Sequence, residues 1–281
     1  MFHTKMSGYY TLKLESIRHN FKLAQEHNDP DGIHDLRVDL KRMKAFFALV
    51  ESINHGFKAK KEFRNFKKIA RNTGRLRDVQ VQTELIENIN ESLDLDCEDY
   101  RAYLMKKESD YSAAFQKYAL KNPLQNLIKS EKIIKKALKE ISPVRADARV
   151  QGRFYNLRNN LVFLHSENEL KDDILHEVRK LSKETHYVLE IIQSCFRIFR
   201  DSKGFLKKLI KVHKLLGAWH DYDVSLRYLN NFQKDCKVDV TQAPYSVLVK
   251  HIHDQKTLYR KNILSAFEDF SETAAVYEHQ K

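Results

Sequence analysis

The sequence predicts an all-α protein built as two similar helical halves, and three observations carry that prediction. Only 7 Gly and 4 Pro interrupt 281 residues, and good helix formers fill the space between them. No stretch alternates polar and apolar residues with the period of two that a half-buried strand requires. A short cationic pattern occurs twice, as His34-Asp35-Leu36-Arg37 with Lys41 and Lys44, and as His176-Glu177-Val178-Arg179 with Lys183 and His186. One offset, 142, carries 34 to 176, 37 to 179, 41 to 183 and 44 to 186. A second pair, Gly74-Arg75-Leu76-Arg77-Asp78 and Gly217-Ala218-Trp219-His220-Asp221, recurs at 143. The duplication predicts two bundles, each like a four-helix bundle with extra helical material, packed about a pseudo-twofold axis.

Periodicity and breakers set the elements in order. The first helix covers residues 4–27 and stops at Asn28-Asp29-Pro30-Asp31-Gly32. The second covers 33–53 and ends at Asn54-His55-Gly56. The third covers 58–72, with Gly74 suited to the left-handed position past a helix end, and the fourth covers 76–91. Helices over 97–120 and 124–141 flank Asn122-Pro123. Ser142-Pro143 divides the chain into halves, 1–142 and 143–281. The second half holds helices over 146–166, 171–199, 203–216, 219–234 and 244–270.

Composition narrows the function. A net charge of +12, from 50 Lys+Arg against 38 Asp+Glu, favours anionic partners without choosing among them. No apolar run reaches the roughly 18 residues of a membrane span, and the Met1-Phe2-His3-Thr4-Lys5 start lacks the apolar stretch of a secretory signal. Cys97, Cys195 and Cys236 form no CxxC pair and suit a reducing compartment. These features predict a soluble, cytoplasmic protein that takes no cofactor and does not engage membranes.

The repeated cations share helix faces. At about 100° per residue, 34, 37, 41 and 44 fall within a wedge of about 80°, as do 176, 179, 183 and 186. The apolar residues Leu36, Leu40, Met43, Phe47 and Val50 centre about 120° away, so the stripe lies on the shoulder of the buried face. Lys60, Arg64, Lys68 and Arg71 share another face, and an offset of 143 gives Lys203, Lys207, Lys211 and Lys214. Like charges at this spacing repel by a few tenths of a kcal/mol each, so their convergence calls for a multivalent anion. Lys129, Lys132, Lys136 and Lys139 have no repeat partner, and a solvated face accounts for them.

His34 and His176 are open to three readings: a core histidine, a metal ligand or a phosphate donor. Neither stands in an HExxH pattern, and His251 and His253 fall on different faces of a helix, so no metal site is expected. With an Arg three residues on, a phosphate donor suits both positions best. Binding to an anion is then expected to tighten as pH falls from about 8 to 6, through histidines titrating near 6.5. Asp78 and Asp221 follow apparent helix stops, so each is expected to cap a helix or to orient a neighbouring Arg or His.

At these residues the chain resembles the CHAD family, the conserved histidine α-helical domain. The resemblance rests on His34-x-x-Arg37-x-x-x-Lys41-Arg42, on His176-x-x-Arg179-Lys180-x-x-Lys183 with Tyr187 and Glu190, and on the two Gly-x-x-x-Asp segments. It implies one unit of two related helical bundles with a basic cleft between them, binding of inorganic polyphosphate, and association with polyphosphate granules. By motif position the binding role passes to His34, Arg37, Lys41, His176, Arg179 and Lys183. Arg42, Lys44, Lys180 and His186 accompany them, and the two Lys/Arg stripes form a supporting wall. Two positions depart from the family pattern: His186 stands before Tyr187 where Arg is common, and His220 stands where the first half has Arg77. The second half is therefore expected to weaken at alkaline pH.

The function expected is non-enzymatic binding of polyphosphate. Sequence-nonspecific binding of nucleic acid is the alternative, although no helix-turn-helix, zinc finger or RNP-type motif is present. An enzyme is disfavoured because no group of carboxylates converges by spacing for Mg²⁺, and no ExExK motif of a fused triphosphate tunnel domain occurs.

Overall fold

A computed structural model describes residues 2–27, 29–166, 171–196, 198 and 203–276. Its regular elements are all helical: α1 (Phe2–His27), α2 (Pro30–Ile53), α3 (Ala59–Glu62), α4 (Arg64–Asn72), α5 (Gly74–Leu93), α6 (Glu98–Ala119), a 3₁₀ turn over Pro123–Leu127, α7 (Ile128–Lys139), α8 (Pro143–Ser166), α9 (Asp172–Cys195), α10 (Lys203–Cys236) and α11 (Tyr245–Val276). Within the described residues no helix is long and apolar enough to cross a membrane.

Against the sequence expectation, α7 begins only at Ile128, α8 already at Pro143, and α11 runs on to Val276; three further differences have a clear local cause. First, α2 begins at Pro30 rather than residue 33, because the Asp29 carboxylate accepts from Gly32 N–H at 2.8 Å. Proline at the first helical position loses no hydrogen bond there, so Asp29-Pro30 starts a helix as well as ending one. Second, the helix expected over 58–72 is two, with Phe63 between α3 and α4. The Phe63 ring stacks on Phe66 at 5.6 Å and meets Phe47 at 5.8 Å, so apolar packing bends the chain there. Third, residues 203–216 and 219–234 belong to one 34-residue helix, α10, which runs straight through Gly217. Leu209, Val212, Leu216 and Trp219 are completely buried along it, and that continuous apolar face outweighs the roughly 1 kcal/mol cost of an internal glycine. Gly74 is not a left-handed cap either; it is the first residue of α5, and no glycine has positive φ.

The core is continuous across the chain. Phe21, Phe46, Phe47, Phe66 and Phe115 fill it among α1, α2, α4 and α6, and Phe205, Trp219, Phe267 and Phe270 among α8 to α11. The two motif helices, α2 and α9, pack against each other, and α5 packs against α10. Arg42 of α2 clamps Glu190 of α9 in a fork, Nε to Oε2 at 3.1 Å and Nη2 to Oε1 at 3.2 Å. Between α5 and α10, Ser225 Oγ donates to Gln82 Oε1, and Gln82 Nε2 donates to the Asp221 carbonyl at 3.2 Å. Positions 82 and 225 are themselves repeat equivalents, 143 apart, so the duplicated segments meet at matching residues.

Candidate anion-binding cavity

Where α2, α5, α9 and α10 come together they enclose a cavity of 360 Å³. Its walls hold Arg37 with Arg179, Lys41 with Lys183, Asp78 with Asp221, Val81 with Val224, and Arg77 with His220, each pair at the repeat offset. Both cationic stripes thus open onto one space. His34 lines it, whereas His176 is not among the lining residues and turns its Nε2 toward Asp223 Oδ2 at 3.4 Å.

Local packing sets the arginines. Arg37 Nη1 donates to the Ala70 carbonyl at 3.0 Å, and its Nη2 lies 3.9 Å from Asp78 Oδ1. A Cβ added at Gly74 would stand 3.2 Å from that Nη1, so the glycine leaves room for the guanidinium. Asp78 pairs with Arg37 through this contact and caps no helix: the residue before α5 is Thr73. Asp221 lies in the middle of α10, which excludes capping there too. Its carboxyl is raised by burial, against the opposing pull of Arg179 and Lys183. Arg179 Nε is buried without a hydrogen-bond partner among the described residues.

Crowding among the cations is strong. Burial, then Arg37 and Arg179, draw Lys41 from 10.5 down to about 8. Burial, then Arg179 and Lys41, draw Lys183 down to about 7. Arg37 and Arg179 are lowered as well, chiefly by burial. The cavity therefore concentrates positive charge that its two carboxylates leave under-compensated. Such a donor set suits an anion with several acceptor oxygens.

Adjoining hollows extend the basic surface. One of 240 Å³ between α2 and α9 is lined by Lys41, Lys44, Arg179, Lys180 and Lys183. Another, of 520 Å³, has an apolar floor of Leu40, Phe47 and Phe63 under Arg37, Lys41, Lys44, Lys60 and Arg71. Lys60 and Arg71 thus stand beside the cavity, as does Lys67, which the sequence reading did not include. Arg64 and Lys68 are exposed and line neither space.

Several expected contributors lie elsewhere. Arg42 is committed to Glu190, with Asp39 at 3.7 Å and the Tyr187 ring at 5.8 Å. His186 is buried, its ring 5.1 Å from His213 and its Nε2 3.7 Å from Glu190. The wall expected from α10 turns outward: Lys207, Lys211 and Lys214 are exposed, and Lys211 reaches Asp269 of α11 at 3.3 Å. The Lys203 side chain lies outside the described residues. Lys129, Lys132, Lys136 and Lys139 are exposed on α7, as a solvated face requires.

The unperturbed value expected of the histidines does not hold at His34, His186 or His220. Burial, then Arg77, lowers His34; burial also lowers His186. Burial, then Arg179 and His176, take His220 to about 3. His220 is therefore neutral throughout the ordinary pH range, so the second half lacks the charge of Arg77 at every such pH. Gln82, which joins α5 to α10 at the cavity wall, carried no signal in the sequence; only the repeat offset to Ser225 pointed to it.

Comparison with known proteins bears on the whole chain. No curated protein sequence matches it significantly. Among solved structures it is similar to the crystal structure of the CHAD domain from the plant Ricinus communis, at 15% identity and a TM-score of 0.76, covering 95% of this chain and 92% of that one. It is also similar to PptA from Streptomyces chartreusis, at 13% identity and a TM-score of 0.65, covering 96% and 98% respectively. The family model described as CHAD domain matches residues 9–230, which span both copies of the motif. This chain belongs to the CHAD-domain family.

Proposed function

We propose that the protein binds inorganic polyphosphate, without enzymatic turnover, in the cavity between its two motif helices. One observation carries the proposal: Arg37, Lys41, Arg179 and Lys183, two cations from each copy of the repeat, line one 360 Å³ space. Family membership supports a polyphosphate-associated role in general. The finer reading is that the two arginines grip phosphate oxygens while the lysines act as compact point charges. Lys44, Lys60, Lys67, Arg71 and Lys180 extend the path beyond the cavity. Counterion release contributes much of the affinity and makes it salt-sensitive, as it does for nucleic acids. Association with polyphosphate granules follows from the same chemistry. The matched pairs along the cavity also support a division into halves 1–142 and 143–281 about a pseudo-twofold axis, together forming one CHAD domain.

The double variant Arg37→Glu/Arg179→Glu tests this. Its affinity for long-chain polyphosphate should drop at least 100-fold, with helical circular dichroism unchanged. Retained affinity removes the cavity from the mechanism. Competition separates the nucleic-acid alternative: polyphosphate should displace labelled RNA at equal phosphate concentration, and failure to do so favours RNA as the ligand.

A further inference from the structure

A second constellation stands against the cavity wall, and the duplication supplies its own control. His176 of α9 meets His220 and Asp223 of α10, and one ligand atom from each lies within 4.8 Å of the others. His220 and Asp223 are three residues apart on one helix and so share a face. The imidazoles of His176 and His220 stand edge to face, 5.3 Å between ring centres. At the equivalent positions the first half has His34, Arg77 and Gln80, one imidazole with a cation and an amide. Two exchanges, Arg to His and Gln to Asp, thus separate an anion-binding corner from a set of two imidazoles and a carboxylate.

The surroundings hold these groups in place. Lys256 of α11 donates to Asp223 Oδ1 at 2.6 Å, leaving Oδ2 on the side of His176. The same ammonium donates to Asp172 at 2.6 Å, so two carboxylates share its charge. The buried indole of Trp219 packs on His176 at 4.9 Å. His220 Nδ1 is buried with no hydrogen-bond partner among the described residues. Metal binding needs an imidazole nitrogen with a free lone pair, and no described residue competes for that Nδ1.

We propose that His176, His220 and Asp223 form a binding site for a divalent transition-metal ion of the zinc class. Three protein ligands of this type leave a coordination position open to water or to a phosphate oxygen. Arg227 Nη2 lies 3.6 Å from Asp223 Oδ2, so the site has little net negative charge to offer. Binding therefore rests on imidazole nitrogen, which selects Zn²⁺, Co²⁺, Ni²⁺ or Cu²⁺ over Mg²⁺ and Ca²⁺. The sequence concealed the set because its members come from two helices far apart in the chain. His220 also lines the central cavity, so the metal titration is made without polyphosphate.

The test uses the untagged full chain, stripped with chelator and free of polyphosphate, titrated with Co²⁺. Visible d–d bands should grow at micromolar Co²⁺, be abolished by Zn²⁺ and persist in excess Mg²⁺. His220→Arg and Asp223→Gln, which restore the first-half residues, should each weaken binding at least tenfold with helicity intact. His251→Ala, away from the cluster, should leave the titration unchanged. Absence of bands up to millimolar Co²⁺, or bands that survive both restoring substitutions, overturns the proposal. Should either variant fold poorly, equal displacement of Co²⁺ by Mg²⁺ and Zn²⁺ in the wild type overturns it as well.

Discussion

Lys183 lies beside Arg179 and Lys41 with little water to share the charge, and its ammonium is drawn down to about 7. A folded pKa below the unfolded value means that the unfolded chain holds the proton more tightly. The cost to the fold is therefore complete below about pH 7 and fades as pH rises toward the ordinary 10.5. Without ligand, the melting temperature should rise between pH 7 and 9, and saturating polyphosphate should flatten that rise by restoring both lysine charges. Affinity should fall across the same interval, up to tenfold for each group and pH unit, with proton uptake on binding measurable by calorimetry in buffers of different ionisation enthalpy. Lys183→Gln should remove most of the uptake near pH 8; an undiminished signal would refute the assignment. The sequence reading also expects tighter binding at lower pH, but assigns it to histidines rather than to these lysines. Spacing alone gave no sign that the lysines would be the buried, crowded groups.

At the scale of the helix, Gly74 and Gly217 occupy the same repeat position with different duties. A Cβ at Gly74 would crowd Arg37 Nη1 at 3.2 Å, whereas one at Gly217 meets nothing within 4 Å. Gly217→Ala should therefore stabilise the protein by about 0.5–1 kcal/mol, since it removes an internal helix glycine without a clash; urea denaturation reads this directly. A loss of stability would mean that α10 needs a hinge there. Most helices were legible because breakers and apolar periodicity agreed. The failures came where tertiary packing overrode a local signal: Gly217 looked like a stop yet sits beside completely buried Leu216 and Trp219, and Phe63 looked like a mid-helix residue yet turns the chain. The outward α10 stripe is the reverse case, where repeated charge kept its spacing but not its direction.

Across the whole molecule, matched residues join the duplicated segments. Gln82 and Ser225 are almost wholly buried, and losing the Gln82 amide removes two buried hydrogen bonds between α5 and α10. Gln82→Ala should destabilise the protein by about 1–3 kcal/mol and weaken polyphosphate binding by loosening α5 from α10; unchanged stability in urea would show that the pair is dispensable. The Arg42 fork on Glu190 is partly exposed and contributes less, about 1 kcal/mol at most. The repeat offset made the meeting of Arg37 with Arg179 and Lys41 with Lys183 foreseeable, because a duplicated surface tends to close on itself. It could not foresee that His176 would turn away toward Asp223. Lys41 belongs to the walls of three neighbouring hollows at once. A filament longer than any of these compartments can run past that ammonium from one to the next with neither tip held. On the proposed function, the protein would sit on its thread as a bead does, anywhere along the length, rather than as a stopper at the end.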